Sequence, residues 1–75
     1  MREKTIMYIW WYENGVDCDG DVDFPDHVQI EIRVDGELEY DWCIDNMSYE
    51  EAWKMYSEMA PNHSFDDVIF QKIFN

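Results

Sequence analysis

The sequence predicts an α+β domain: a three-stranded antiparallel sheet followed by two short helices packed on one of its faces. Three observations carry this expectation. The chain opens on a run of β-branched and aromatic residues, continues with two stretches of apolar/polar alternation, and closes with two helix-start signals. At 75 residues it has material for one modest core, and no internal repeat divides it, so residues 1–75 are read as a single acidic domain.

The first strand is read from Thr5 to Tyr12, running into the turn signal Asn14-Gly15. Both of its faces are apolar, so alternation does not say which one is inside. With Thr5 and Glu13 outward, Ile6, Tyr8, Trp10 and Tyr12 become the expected core. Met7, Ile9 and Trp11 then form an outward patch, with Trp11 an aromatic anchor inside an acidic rim. Cover by the following loop, or burial in a homodimer, is the structural reading of the same patch. Val16 to Asp26 alternates Asp with small or apolar residues and closes at Phe24-Pro25, as a long loop or ragged edge strand would.

Two half-buried strands follow. Val28, Ile30, Ile32 and Val34 alternate with polar residues, and so do Leu38, Tyr40, Trp42 and Ile44. Asp35-Gly36 suggests a two-residue hairpin loop, but that register puts Val34 opposite Glu37 and sets apolar residues of one strand beside acids of the other. A three-residue loop, Val34-Asp35-Gly36, avoids the conflict. It pairs Arg33 with Glu37, Ile32 with Leu38 and Ile30 with Tyr40, and it sets Glu31 opposite Glu39 and Gln29 opposite Asp41. Ser48-Tyr49-Glu50-Glu51 is a capping box, followed by Ala52, Trp53, Tyr56 and Met59 at helical spacing and a stop before Pro61. Ser64-Phe65-Asp66-Asp67 repeats the start signal, and Phe65, Val68, Ile69 and Ile73 make a helical stripe. Val68-Ile69-Phe70 also suits a strand; a short C-terminal helix is the favoured reading.

Charge is the strongest feature. Eighteen acids against five bases give −13, beyond the roughly 2 to 8 units that keep a small domain soluble. Residues 13–45 hold twelve acids and the single base Arg33, a net of −11 that leaves −2 for the rest. A cluster of like charge destabilises a compact state through self-repulsion, so its concentration beside abundant aromatics argues for contact with something positive. The same charge argues against direct nucleic-acid binding, because it repels the phosphate backbone.

Chemistry is sparsely represented. His27 and His63 stand in no local pattern with Ser or Cys, so surface or capping roles are expected and no catalytic residue is assigned. Asp17, Asp19, Asp21 and Asp23 resemble the oxygen-rich stretch of a calcium loop. Counted from Asp17, however, its sixth and twelfth positions hold Val22 and Val28 instead of Gly and Glu, so no metal or cofactor is expected. Met1-Arg2-Glu3-Lys4 does not open a secretory signal and no run approaches a membrane span, which predicts a cytoplasmic protein with Cys18 and Cys43 as thiols.

Carboxylates at alternate strand positions lie about 6.7 Å apart, close to the spacing of backbone phosphates. Glu37, Glu39 and Asp41 would form such a row. Glu31 and the loop acids Asp17, Asp19, Asp21, Asp23 and Asp26 would extend it toward a second. In size, in acids gathered between Glu13 and Asp45, and in mixed strand and helix content, the chain resembles the small acidic DNA-mimicking inhibitors of phages and mobile elements, of the anti-CRISPR and anti-restriction type. The resemblance is one of class, with no shared motif. It implies a stoichiometric inhibitor, not an enzyme, that blocks the DNA-binding or recognition-motif site of a basic nuclease, including a CRISPR effector whose base-reading arginines would pair with carboxylates. The alternative expectation is an adaptor or homodimeric interaction module that uses the apolar first strand.

Overall fold

The computed structural model describes residues 3–14, 25–62 and 64–73. The chain is α+β, with elements β1 (Thr5–Tyr12), β2 (His27–Val34), β3 (Glu37–Asp45), α1 (Tyr49–Met59) and β4 (Asp67–Ile73). All four strands form one sheet in the order β3-β2-β1-β4. The β1–β2 and β2–β3 pairs are antiparallel, while β4 lies parallel to β1. Among the described residues the expected three-stranded sheet with two helices is therefore corrected to a four-stranded mixed sheet with one helix.

The C-terminal segment becomes a strand for a reason already present in β1. A strand apolar on both faces suits the interior of a sheet, and β1 lies there between β2 and β4. Val68 and Phe70 sit beside Met7 and Ile9 on one face, and Ile69 and Ile73 beside Tyr8 and Tyr12 on the other. A parallel strand needs a crossover, and α1 provides it. The entry to β4 is pinned at Thr5: its N–H donates to the Asp66 carboxylate at 2.6 Å, and its carbonyl accepts from Asp66 N–H at 2.7 Å.

The two faces of β1 lie the opposite way round from the expectation. Met7, Ile9 and Trp11 are buried together with Val28, Ile30, Ala52 and Val68, and these form the core beneath α1. Ile6, Tyr8, Trp10 and Tyr12 lie half-buried on the opposite face, where the Tyr8 and Trp10 rings stack at 5.4 Å. Alternation had no means of choosing, since both faces are apolar; the helix and the inward rows of β2 and β4 choose. His27 is also corrected. It is fully buried, its ring stacks on Tyr12 at 4.9 Å, and its Nδ1 lies 2.9 Å from the Pro25 carbonyl.

The β2–β3 hairpin combines a short loop with a β-bulge, and the expected three-residue loop is corrected. Its loop is the two-residue Asp35-Gly36, with φ of 52° and 85°. A bulge then inserts Glu39, so that Arg33 faces Leu38 while Ile32 faces Tyr40. The extra residue brings Tyr40, Trp42 and Ile44 beside Ile32, Ile30 and Val28 on one face, which a regular ladder from the short loop would not allow, and leaves Leu38 beside Arg33. Nothing lies within 4 Å of a Cβ placed on Gly36. Gly36→Ala therefore meets no neighbour and should cost about 1–2 kcal/mol through its left-handed backbone alone, read as a lower urea midpoint with an unchanged slope.

Ser48 caps α1 as the sequence indicates, its Oγ accepting from Glu51 N–H at 3.2 Å. The helix turns Ala52, Met55, Tyr56 and Met59 toward the sheet. It packs mainly over β1 and β4, where Tyr49, Trp53 and Tyr56 surround Phe70 with ring centroids 5.5–5.8 Å away. Among the described residues no helix is long and apolar enough to cross a membrane.

Candidate functional site: the β3 edge

Strand β3 lies at the edge of the sheet, and eight of its nine residues are exposed, Ile44 being the exception. Two side-chain sets alternate along it. Glu37, Glu39, Asp41 and Asp45 are carboxylates in open solvent; Tyr40 and Trp42, about half exposed, stand on the face that carries α1. Between Asp35 and Met47 there are five acids and no base.

The bulge divides the expected acid row. Glu37 and Glu39 line a cleft of about 600 Å³ with Glu3, Val34 and Asp35 at the hairpin end. Asp41 lies further along, opposite Glu31. The predicted neighbours of Glu31 and Gln29 are thus corrected to Asp41 and Cys43 in place of Glu39 and Asp41. Glu31 itself is removed from the set of open acids: it is half-buried, and Arg33 Nε donates to its carboxylate at 2.8 Å while Arg33 Nη1 donates to the Gly36 carbonyl at 3.1 Å. This ion pair stands on the interior strand β2, toward the hairpin, and offsets one of the two opposed carboxylates.

Asp26 is likewise structural. Its carboxylate accepts from Asn14 N–H at 2.7 Å and its carbonyl from Met47 N–H at 3.0 Å, tying the end of β1 to the chain between β3 and α1. Asp17, Asp19, Asp21 and Asp23 lie outside the described residues, as does Cys18. Cys43 carries an exposed thiol that donates to Gln29 Oε1 at 2.6 Å. Among the described residues no three His, Cys, Asp or Glu side chains converge as a metal site.

Trp11, expected as an exposed anchor, is buried to 5% exposure. Its Nε1 donates to the Met47 carbonyl at 2.8 Å, its ring meets Tyr49 edge-on at 5.5 Å, and the Lys72 ammonium lies 5.5 Å from its centroid and 4.4 Å from that of Tyr49. Among the described residues the exposed large aromatics are instead Tyr40, Trp42, Tyr49 and Trp53. Because α1 sits over β1 and β4, the β2–β3 half of the same face keeps an apolar groove of about 310 Å³, floored by Ile30, Ile32, Tyr40 and Trp42 and walled by Met55 and Met59. Sequence reasoning missed this groove. Its signal was present in Met55 and Met59, one helical turn apart, and in Tyr40 and Trp42 on a strand with one neighbour.

Compared with known protein families, with curated proteins and with solved structures, the chain matches none.

Proposed function

We propose that this chain is a protein-binding inhibitor that presents carboxylates to an Arg/Lys-lined nucleic-acid site, occupying the DNA-binding or recognition-motif surface of a basic enzyme such as a nuclease, a CRISPR effector included. The observation that carries this reading is the β3 edge: Glu37, Glu39, Asp41 and Asp45 are all exposed, with no base between Asp35 and Met47. Guanidinium and ammonium groups spaced to grip phosphates would meet carboxylates along a projecting strand. The acid set on which the reading stands is narrower than the sequence suggests, since Glu31 and Asp26 are engaged within the fold.

A second reading is an adaptor or homodimeric module built on apolar contact. Trp11 no longer supports it, but the half-exposed Tyr40 and Trp42 do. Salt separates the two readings. If carboxylates dominate the contact, affinity for the partner should fall at least about tenfold between roughly 0.1 and 0.5 M salt, through screening of the charge pairs. An affinity that holds or rises over that range would assign the contact to the apolar surface.

A further inference from the structure

We infer that β3 is a template for strand addition: an extended segment of the basic partner, alternating Lys or Arg with apolar residues, pairs along residues 40–45 and continues the sheet. This inference rests on the proposed acidic reading and gives the form in which the partner meets the edge.

The backbone of the edge is available. Among the described residues no strand pairs with the outer side of β3, so every second residue along it presents its N–H and C=O groups outward. The bulge lies nearer the hairpin loop, with its register shift at Ile32/Arg33; from Tyr40 to Asp45 the ladder to β2 holds one register. That leaves a regular stretch of six residues, an ordinary strand length. The helix keeps clear of it, because α1 packs over β1 and β4.

The two faces of this stretch differ in chemistry. Tyr40, Trp42 and Ile44 lie on the α1 face, where they line the groove against Met55 and Met59. Asp41, Cys43 and Asp45 turn to the reverse face, where Asp41 stands opposite Glu31 and the Cys43 thiol donates to Gln29. Tyr40 and Trp42 remain about half exposed although β2 sets Ile32 and Ile30 beside them. An added strand places apolar side chains beside Tyr40, Trp42 and Ile44 and, alternating with them, cations beside Asp41 and Asp45. Main-chain hydrogen bonds then supply affinity, and the alternate side chains supply specificity.

Charge selects the occupant. No base lies between Asp35 and Met47, so the added cations meet only carboxylates along the strand. A second copy of β3 fits poorly: a register that joins the two aromatic rows also gathers Asp41 and Asp45 of both copies on the reverse face, at a net charge of −13 per chain. The other edge of the sheet, β4, lacks the pattern, since it holds one acid, Asp67, and one base, Lys72.

The test uses the full chain, isotopically labelled at nitrogen, titrated with four capped synthetic peptides of about eight residues. They are alternating Lys/Val, the same composition in two blocks, alternating Glu/Val, and alternating Lys/Val with its backbone N–H groups methylated. Alternating Lys/Val should bind at least about tenfold tighter than the block and methylated peptides. It should slow hydrogen exchange at every second amide of residues 40–45 and leave the β4 amides unchanged. In Asp41→Lys with Asp45→Lys, both exposed positions, the preference should reverse to alternating Glu/Val. Equal affinity of the alternating and block Lys/Val peptides would overturn the added strand while leaving the acidic edge standing. Equal affinity of Lys/Val and Glu/Val would overturn the basic occupant, and protection of β4 in place of β3 would overturn the assigned edge. Failure of every peptide would overturn the proposal, and competition by DNA for the intact partner then judges the acidic reading by itself. A dimer in sedimentation equilibrium whose β3 amides are protected before any peptide is added would assign the edge to a second copy and overturn the proposal.

Discussion

Replacing Trp11 by alanine should cost about 3–5 kcal/mol, the range for a fully packed aromatic removed from a core. The side chain is 5% exposed, and its loss would leave the Met47 carbonyl without its indole donor and the Lys72 ammonium without one of its two ring faces. A domain of this size has a stability of only about 5–15 kcal/mol, so the variant should be close to unfolding at ambient temperature. Thermal or urea denaturation followed by near-ultraviolet circular dichroism checks this. A Trp11→Ala protein with wild-type stability and weakened partner binding would return Trp11 to the surface role that its sequence context suggested.

The double charge reversal Glu37→Lys with Glu39→Lys should have the opposite signature. Both residues are exposed, and they share their cleft with Glu3 and Asp35, so the substitution relieves repulsion and should leave stability within about 0.5 kcal/mol of wild type, or slightly raise it. Partner affinity should fall by about 100-fold, equivalent to roughly 2.7 kcal/mol, because two attractive contacts with a basic surface become two repulsive ones. Isothermal titration against the partner measures the loss, and equal denaturation curves show that it does not come from unfolding. Unchanged binding in a folded double variant would remove the edge acids from the contact.

What the sequence made legible and what it concealed follow from the same physics. The alternation of Val28 to Val34 and of Leu38 to Ile44 reads as strand because one face of each is polar, and the Ser48 cap with its Glu51 partner marks the helix start. In β1 the signal is symmetric: an all-apolar strand announces an interior position but not which side is inward. The interior place of β1, between β2 and β4, is what makes a strand of Val68-Ile69-Phe70, whose local pattern suits helix and strand alike. Asp66 and Asp67, read as first-turn acids of a helix, instead fix β4 to Thr5 and open the strand.

The hairpin conceals its register in another way. Pairing rules applied to a regular ladder excluded the two-residue loop, and the one-residue bulge at Glu39 reconciles the loop with the apolar rows. For the site the consequence is direct. The bulge gathers Glu37 and Glu39 at the hairpin end and separates them from Asp41, and the Arg33 partner withdraws Glu31. A flat lattice of carboxylates thus becomes an acidic strand edge beside an apolar groove. The groove itself depends on where α1 settles across the sheet, a tertiary placement that no local pattern encodes.

The central claim is that the β3 edge occupies a surface built for nucleic acid, and competition by duplex DNA tests it most directly. With the chain immobilised and its partner bound from native lysate, short duplex DNA at micromolar concentration should displace the partner, while the same concentration of a neutral polymer should not. Retention unchanged by DNA, together with release on Trp42→Ala, would contradict the claim and leave an apolar interaction module in its place.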